Sequence, residues 1–475
     1  MTPHLTAQPS RRALLQSAAC GFGYLALAGI TSRVAAAVNA AASPKATSTL
    51  AHHSARAKRV IFLFQHGGVS QMDSFDRKPA LVEHHGKPLP FKLPGLIRPD
   101  RLGKVFAPKW SWKQHGQSGR WVSELFPETA KHVDKLAFIK SVHTEGEAHG
   151  QAVLRLHTGE ANFVRPSMGS WVSYGLGTEN ENLPAFICLD YPAMHGGVRN
   201  YANAFLPAAH QGTQIKVGTA PGQNPEIRNL TSDRLTSSRQ REQLDVINAL
   251  NRAHLRQAGP DPRLEGVIQS FELAYRMQSV APEVLDISSE SAATKALYGI
   301  GQEPTDAYGR QCLVARRLCE AGVRFVQVAT PYHWDHHGNI EQDMPRSCAM
   351  TDKPIAGLLA DLEGRGLLED TLVLWSGEFG RTPVSQIDRG APGRDHNPHG
   401  FTVWMAGGGV KPGISHGETD DFGYLAVQDK VHMHDLHATI LHLMGLDHER
   451  LTYRYAGRDF RLTDVYGHVV REILA

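Results

Sequence analysis

Six short apolar runs constrain this chain more than any other feature. They are "RVIFLFQHGG" (59–68), "KLAFIKSVH" (135–143), "PAFICLD" (184–190), "VRFVQVAT" (323–330), "TLVLWSG" (371–377) and "FTVWMAGGG" (401–409). Each is nearly continuous in apolar residues, and several stop at glycine. Such runs suit strands covered on both faces. Helical patterns lie between them. "DAYGRQCLVARRLCEAG" (306–322) has periodic apolar positions and a glycine stop. "DKPIAGLLADLEGRG" (352–366) predicts a helix with Asp352 as N-cap, and "HDLHATILHLMG" (434–445) predicts another. Strands alternating with helices predict an α/β fold, a doubly wound and mostly parallel sheet. At 475 residues the chain accommodates one such domain with an insertion. The polar, charged, helix-like stretch from about 205 to 300 reads as that inserted helical region or cap.

The first 42 residues read as a targeting segment. Arg11 and Arg12 form a twin-arginine pair ahead of a modest apolar stretch, and small residues near Ala37 or Ala42 offer cleavage sites. The segment resembles a twin-arginine export signal, which predicts a periplasmic or secreted protein. An uncleaved anchor helix is the alternative. No later run is apolar enough to span a membrane. A polar linker follows over 43–58, and the α/β domain occupies 59–475. The segment holds three arginines and no acid, so its removal takes the formal charge from +3 to zero. That balance argues against nucleic acid as the main partner. Cys188, Cys312, Cys319 and Cys348 lack zinc-knuckle spacing. Cys312 and Cys319 share a helix face and read as core residues rather than a disulfide.

In open α/β sheets, ligands collect beyond the carboxyl ends of the strands. The chemistry-bearing residues crowd there. "QHGGVSQMDSFD" follows the first strand with His66, Ser70, Asp73 and Asp76. "HTEGEAHG" follows the second with Glu145, Glu147 and His149. "PYHWDHHGN" follows "VRFVQVAT", and "GEFGRTP" follows "TLVLWS" with Glu378 and Arg381. "GRDHNPHG", with Asp395, His396 and His399, comes just before "FTVWMAGGG". The chain has 26 histidines, more than its tyrosines or phenylalanines, and neutral imidazole is the commonest metal ligand. Mixed nitrogen and oxygen donors suit zinc, manganese or iron. Each member also has a plainer reading. Asp335 and His337 form a loop hydrogen-bond pair, Glu378 pairs with Arg381 or caps a helix, and Asp73 caps a turn.

"GGVSQMDSFDRKP", "RPSMGSW", "WDHHGN", "LWSGEFGRTP", "GRDHNPHGFTVWMAGGGVKPG" and the "HDLHATILHLMG" stretch together resemble the exported DUF1501 family. That family is similar to the alkaline phosphatase and sulfatase superfamily. The resemblance implies an alkaline phosphatase-like sandwich and metal-assisted hydrolysis of phosphate or sulfate esters. It implies Asp335 and His337 as ligands to one metal, Glu378 as a further acid, and His396 as the late ligand. It places His149 where sulfatases carry a modified Cys or Ser, so no hydroxyl or thiol stands at the nucleophile position.

These readings combine into an exported metal-dependent hydrolase of sulfate or phosphate esters, with water activated by the metal as nucleophile. One or two divalent ions (Zn, Mn or Ca) are expected on Asp73, Asp335, His337, Glu378 and His396. His149 and Arg381 are the expected catalytic pair, with Arg381 holding the anion. The expected substrate is an anionic ester, on a polysaccharide or another extracellular compound. The alternative is a non-catalytic, metal-containing binding or assembly protein on the same fold.

Overall fold

The computed structural model describes residues 50–475 apart from 94–98, 219–224, 228–229, 232–234 and 260. The export segment expected over 1–42 lies outside the described residues. Two compact units divide the chain. Among the described residues, one comprises 50–230 with Arg276–Ala475, and the other Thr231–Tyr275.

The first unit is built on one large sheet. Its strands are β1 (Arg59–Phe64), β3 (Leu136–His143), β4 (Phe186–Leu189), β5 (Thr213–Ile215), β6 (Phe325–Ala329), β7 (Thr371–Ser376), β10 (Phe401–Ala406), β11 (Ile414–His416) and β12 (Val431–His432). The main path runs β11-β3-β10-β7-β1-β6-β4-β5, with β12 also on β3. All pairings are parallel except those of β10, which is antiparallel to β3 and β7. The central strands β1, β6, β7 and β10 are buried along nearly their whole length, which is why their sequences do not alternate.

A smaller sheet joins β2 (Leu102–Val105), β8 (Gly380–Gln386) and β9 (Gly393–Asn397), in the order β9-β8-β2. The main-sheet helices used below are α1 (His149–Thr158), α2 (Met168–Leu176), α5 (Asp306–Glu320), α6 (Ile340–Gly364) and α7 (Met433–Leu443). Cys312 and Cys319 lie buried on α5, and all four described cysteines are free.

Register decides where the loops go. Phe64 of β1 pairs with Ala329 of β6 and with Ser376 of β7, so these strands end level with one another. β3 runs the same way as β7 through the reversed β10, so His143 ends at that edge too. Because β10 is reversed, it brings its N-terminal end there, and with it the preceding β9. Five sequence-distant segments therefore emerge at one edge.

Three local expectations differ from the structure. Asp352 does not start a helix, because α6 already begins at Ile340. Its carboxylate instead accepts the backbone N–H groups of Glu128 (2.7 Å) and Thr129 (2.8 Å). The described end of the expected linker is docked rather than loose. Leu50 donates to Gly175 O at the end of α2, and Ala57 to Leu443 O at the end of α7. Within 205–300, residues 213–215 form an edge strand of the main sheet, and the long helices start only at Ser237.

The second unit contains α3 (Ser237–Ala258) and the start of α4 (Pro262–Leu285). Thr236 caps α3 by accepting from Arg239 N. Arg241 of α3 makes a two-pronged ion pair with Glu272, both contacts at 2.8 Å. No helix among the described residues is long and apolar enough to cross a membrane.

Candidate metal centre

At the shared sheet edge, Asp335 Oδ1 is a hub. Around it stand His337 Nε2 at 3.0 Å, His149 Nε2 at 3.1 Å and His396 Nε2 at 3.4 Å. Asp335 and His337 come from the loop after β6, His149 opens α1, and His396 lies on β9. One ligand atom from each of the four lies within 4.8 Å of the others. Among the described residues this is the one such group of three or more.

The loop after β6 reaches this point because Gly67 lets it. A Cβ on Gly67 would sit 2.6 Å from Asp335 N, and Gly67 adopts φ +122, a conformation that L side chains rarely take. The other two histidines of this loop, His333 and His336, are not in the group. His336 Nε2 approaches Ser347 Oγ at 3.3 Å, and burial pushes the His336 and His333 pKa values down to about 3 and about 4.

The other ring nitrogen of each site imidazole meets an oxygen. His149 Nδ1 is 2.7 Å from Glu378 Oε1, His337 Nδ1 is 2.5 Å from Gln386 Oε1, and His396 Nδ1 is 2.6 Å from the Glu147 carbonyl. An amide oxygen and a backbone carbonyl can only accept, so His337 and His396 carry their proton on Nδ1 when neutral. Their Nε2 lone pairs then face the hub. Glu378, an ionised acceptor, gives His149 the same tautomer. Imidazoles that bind metals are held in this way by a donor–acceptor pair on the far nitrogen.

His149 Nε2 lies within ion-pair distance of Asp335 but makes no aligned hydrogen bond, and it is buried without a partner. The nitrogen thus stands beside the carboxylate without bonding to it, within 4.8 Å of a ligand atom of each of the other three residues. That orphaned atom and the three-imidazole, one-carboxylate donor set fit a divalent transition metal.

Electrostatics support ionised Asp335. Burial opposes its charge, but the Arg381 guanidinium beside it outweighs burial and holds the carboxyl far below the usual range. Tyr332 Oη donates to the other oxygen, Oδ2, at 2.6 Å. Burial pushes the His396 pKa down to about 4, favouring the neutral ring. For His149, burial works against the charged form, but the Asp335 and Glu378 carboxylates beside its two ring nitrogens prevail and raise the pKa.

Three expected roles change. Asp73 is not at the centre: its Oδ2 accepts from Arg394 Nε at 2.7 Å and from Ser70 at 2.5 Å, in a buried ion pair. Glu378 stands behind the centre. It is fully buried and takes the Gly67 N–H on both oxygens at 3.1 Å, besides His149. Arg381 faces inward. Its guanidinium is spent on Asp335 (2.7 Å) and on the carbonyls of Gly67, Gly68, Trp334 and Arg394, so it cannot hold an incoming anion. Asp76 is likewise engaged, by Thr419, Lys78 and Lys140.

Two contributors lie beyond the sequence expectations. Tyr332 stands within "PYHWDHHGN", and His195 follows the strand "PAFICLD". Its ring stacks on His149 at 5.0 Å, and its Nδ1 lies 2.9 Å from His66 Nε2. Burial lowers the pKa of both His195 and His66, that of His66 to about 4. A cavity of 430 Å³ opens over the centre, lined among others by His149, His195, His337, His396, Arg101 and Arg389.

The family described as "Protein of unknown function (DUF1501)" matches residues 57–474. No curated protein matches the chain. Among solved structures, alkaline phosphatase from the Antarctic bacterium TAB5 is 11% identical, covering 82% of this chain and 98% of that one, at a TM-score of 0.33. The lipoteichoic acid synthase LtaP from Listeria monocytogenes is 8% identical, covering 87% and 78%, at 0.38. The PsFucS1 sulfatase from Pseudoalteromonas sp. is 11% identical, covering 83% and 69%, at 0.33.

Proposed function

We propose that this chain, which belongs to the DUF1501 family, is a metal-dependent hydrolase of phosphate or sulfate esters. One observation carries the reading: three imidazoles, each with its far nitrogen fixed by an oxygen, turn Nε2 toward one carboxylate beneath an open cavity. His149, Asp335, His337 and His396 would hold one divalent ion. Three nitrogen donors favour zinc, manganese or iron over calcium, which prefers oxygen. Such an ion supplies positive charge for an ester oxyanion and makes water more acidic.

The chain's own groups have separate tasks. Glu378, Gln386 and the Glu147 carbonyl keep a proton on each Nδ1, and so keep each Nε2 available. Arg381 balances the Asp335 charge from inside, and Tyr332 fixes the carboxylate's rotation. His149 is a ligand in this reading rather than a base. His195, one of two cavity-lining imidazoles outside the ligand set and the one stacked on His149, would move a proton at the leaving oxygen. The twin-arginine-type segment would put this activity outside the cytoplasm.

One observation favours a binding protein instead. The hydroxyl at the centre, Tyr332 Oη, is committed to Asp335 and offers no free nucleophile. Elemental mass spectrometry and ester turnover separate the two readings. The hydrolase predicts about one equivalent of transition metal, metal-dependent turnover of aryl phosphate or sulfate esters, and loss of both in Asp335→Ala with His337→Ala. Metal without turnover across a broad ester panel supports the binder. No metal after reconstitution sinks both.

A further inference from the structure

Arg381 was the expected anion holder, and its guanidinium is spent internally. The cavity nevertheless has two other arginines in its wall, Arg101 and Arg389. Both come from the small sheet and its connections: Arg101 directly precedes β2, and Arg389 lies between β8 and β9. Gln386 pairs with Leu102 across the β8–β2 ladder, so the two segments are held side by side.

A chain of hydrogen bonds ties this wall to the centre. Gln386 Oε1 receives His337 Nδ1 at 2.5 Å, and Gln386 Nε2 donates to Asp388 Oδ1 at 2.6 Å. Asp388 Oδ2 in turn holds Arg101 Nε at 3.1 Å. Arg101 is thus positioned through Nε, which leaves its terminal nitrogens for another partner. Arg389 is exposed, and no ion pair or hydrogen bond engages its guanidinium among the described residues. Asp395, an acid lining the same cavity, sits with the centre instead, accepting from His396 N at 2.8 Å and standing 3.7 Å from His337 Nδ1. The cavity therefore presents imidazoles at its floor and two available guanidinium groups in its wall.

We infer that Arg101 and Arg389 form an anion subsite beside the metal centre, and that the ester carries a second anionic group on its alcohol portion. This deepens the hydrolase reading and rests on it for the position of the first anion. Guanidinium forks recognise phosphate, sulfate and carboxylate alike, so the shared chemistry is a polyanionic ester. A monoanionic ester of similar size would fill the floor and leave the wall unused.

The test is calorimetric titration of the metal-loaded full chain with methylphosphonate and with alkane-α,ω-bisphosphonates of graded length. The expected result is one chain length that binds at least about tenfold tighter than methylphosphonate, with the advantage shrinking as salt rises. In Arg101→Ala with Arg389→Ala that ligand falls to the methylphosphonate level, and Arg→Lys at both positions restores part of the gain. Equal affinity along the whole series overturns the inference, as does an advantage that survives the double alanine variant. His337→Ala separates the two readings. If methylphosphonate binding persists there, the floor assignment fails, while the arginine dependence of the bisphosphonate still decides the wall.

Discussion

His149 and His157 sit at opposite ends of α1, about 12 Å apart along the helix axis at roughly 1.5 Å per residue. Both are buried, and they use their second ring nitrogen differently. His157 donates Nδ1–H to Val153 O at 2.7 Å and accepts from the Gln327 amide on Nε2, also at 2.7 Å. Its ring packs against Phe62, Phe64 and Tyr191. Nearby His437 donates Nε2–H to Leu156 O at 2.7 Å. Burial pushes these two rings down to about 3 and about 4, and no carboxylate bonds to either. At the other end of the helix, His149 has Glu378 on one nitrogen and an unmatched, cavity-side nitrogen beside Asp335. Burial alone does not distinguish a ligand from a core histidine. The distinction lies in what faces the second nitrogen: a satisfied amide at one end, converging lone pairs and a carboxylate at the other.

The largest expected effect breaks the comparison if it fails. His337→Ala should lose the metal, with affinity down by more than the roughly 100-fold that outer partners are worth. His157→Ala should keep the metal and instead cost about 2–4 kcal/mol of stability, from a cavity and an orphaned Gln327 amide. Metal content and denaturant unfolding of the two variants read this directly. A folded His157→Ala protein without metal would erase the distinction.

Next in size, Glu378→Gln should weaken metal binding about 10–100-fold, measured by chelator competition. The reason is that a neutral amide holds the His149 Nδ1 proton less firmly than a carboxylate does. An unchanged affinity would mean that His149 is positioned by packing alone.

The core pair sharpens the contrast through pH. His157 and His437 have folded pKa values below the unfolded value near 6.5. Between those values the unfolded chain binds protons that the folded chain refuses. Stability should therefore be full above about pH 6.5 and fall as pH drops toward about 4 and then about 3. Urea unfolding across that window should show the slope, and His157→Gln should make it shallower. The same slope in both proteins would place the acid sensitivity elsewhere.

The smallest effect concerns Tyr332→Phe, which removes one hydrogen bond to Asp335 Oδ2. We expect the metal to remain, with affinity lowered by roughly fivefold, in line with about 1 kcal/mol for one hydrogen bond. A loss as large as that of His337→Ala would make Tyr332 essential to the centre.

The two ends of α1 also show how far the sequence was readable. His149, Asp335, His337 and His396 are legible because each lies next to a strand end, where α/β sheets gather ligands, and because the family resemblance implies roles for them. His195 obeys the same rule, following "PAFICLD". Asp73 obeys it too, yet its charge is taken up by Arg394, 321 residues away. No local pattern announces that pair. Arg381 and Glu378 stand in one motif, and nothing in "GEFGRTP" says that one side chain turns inward and the other backs an imidazole.

The sequence by itself determined the layers and the edge. Continuous apolar runs mark strands buried on both faces, and their alternation with helices implies parallel strands whose carboxyl ends collect the site loops. It also determined which residue types stood ready there. Only the tertiary structure decided their roles. Strand register and the reversal of β10 set which side chains meet, and meeting at about 3 Å is what makes imidazoles and a carboxylate a candidate metal site rather than separate loop residues. Hydrogen-bond direction, set by partners hundreds of residues distant, then determined which nitrogen of each ring was left to act.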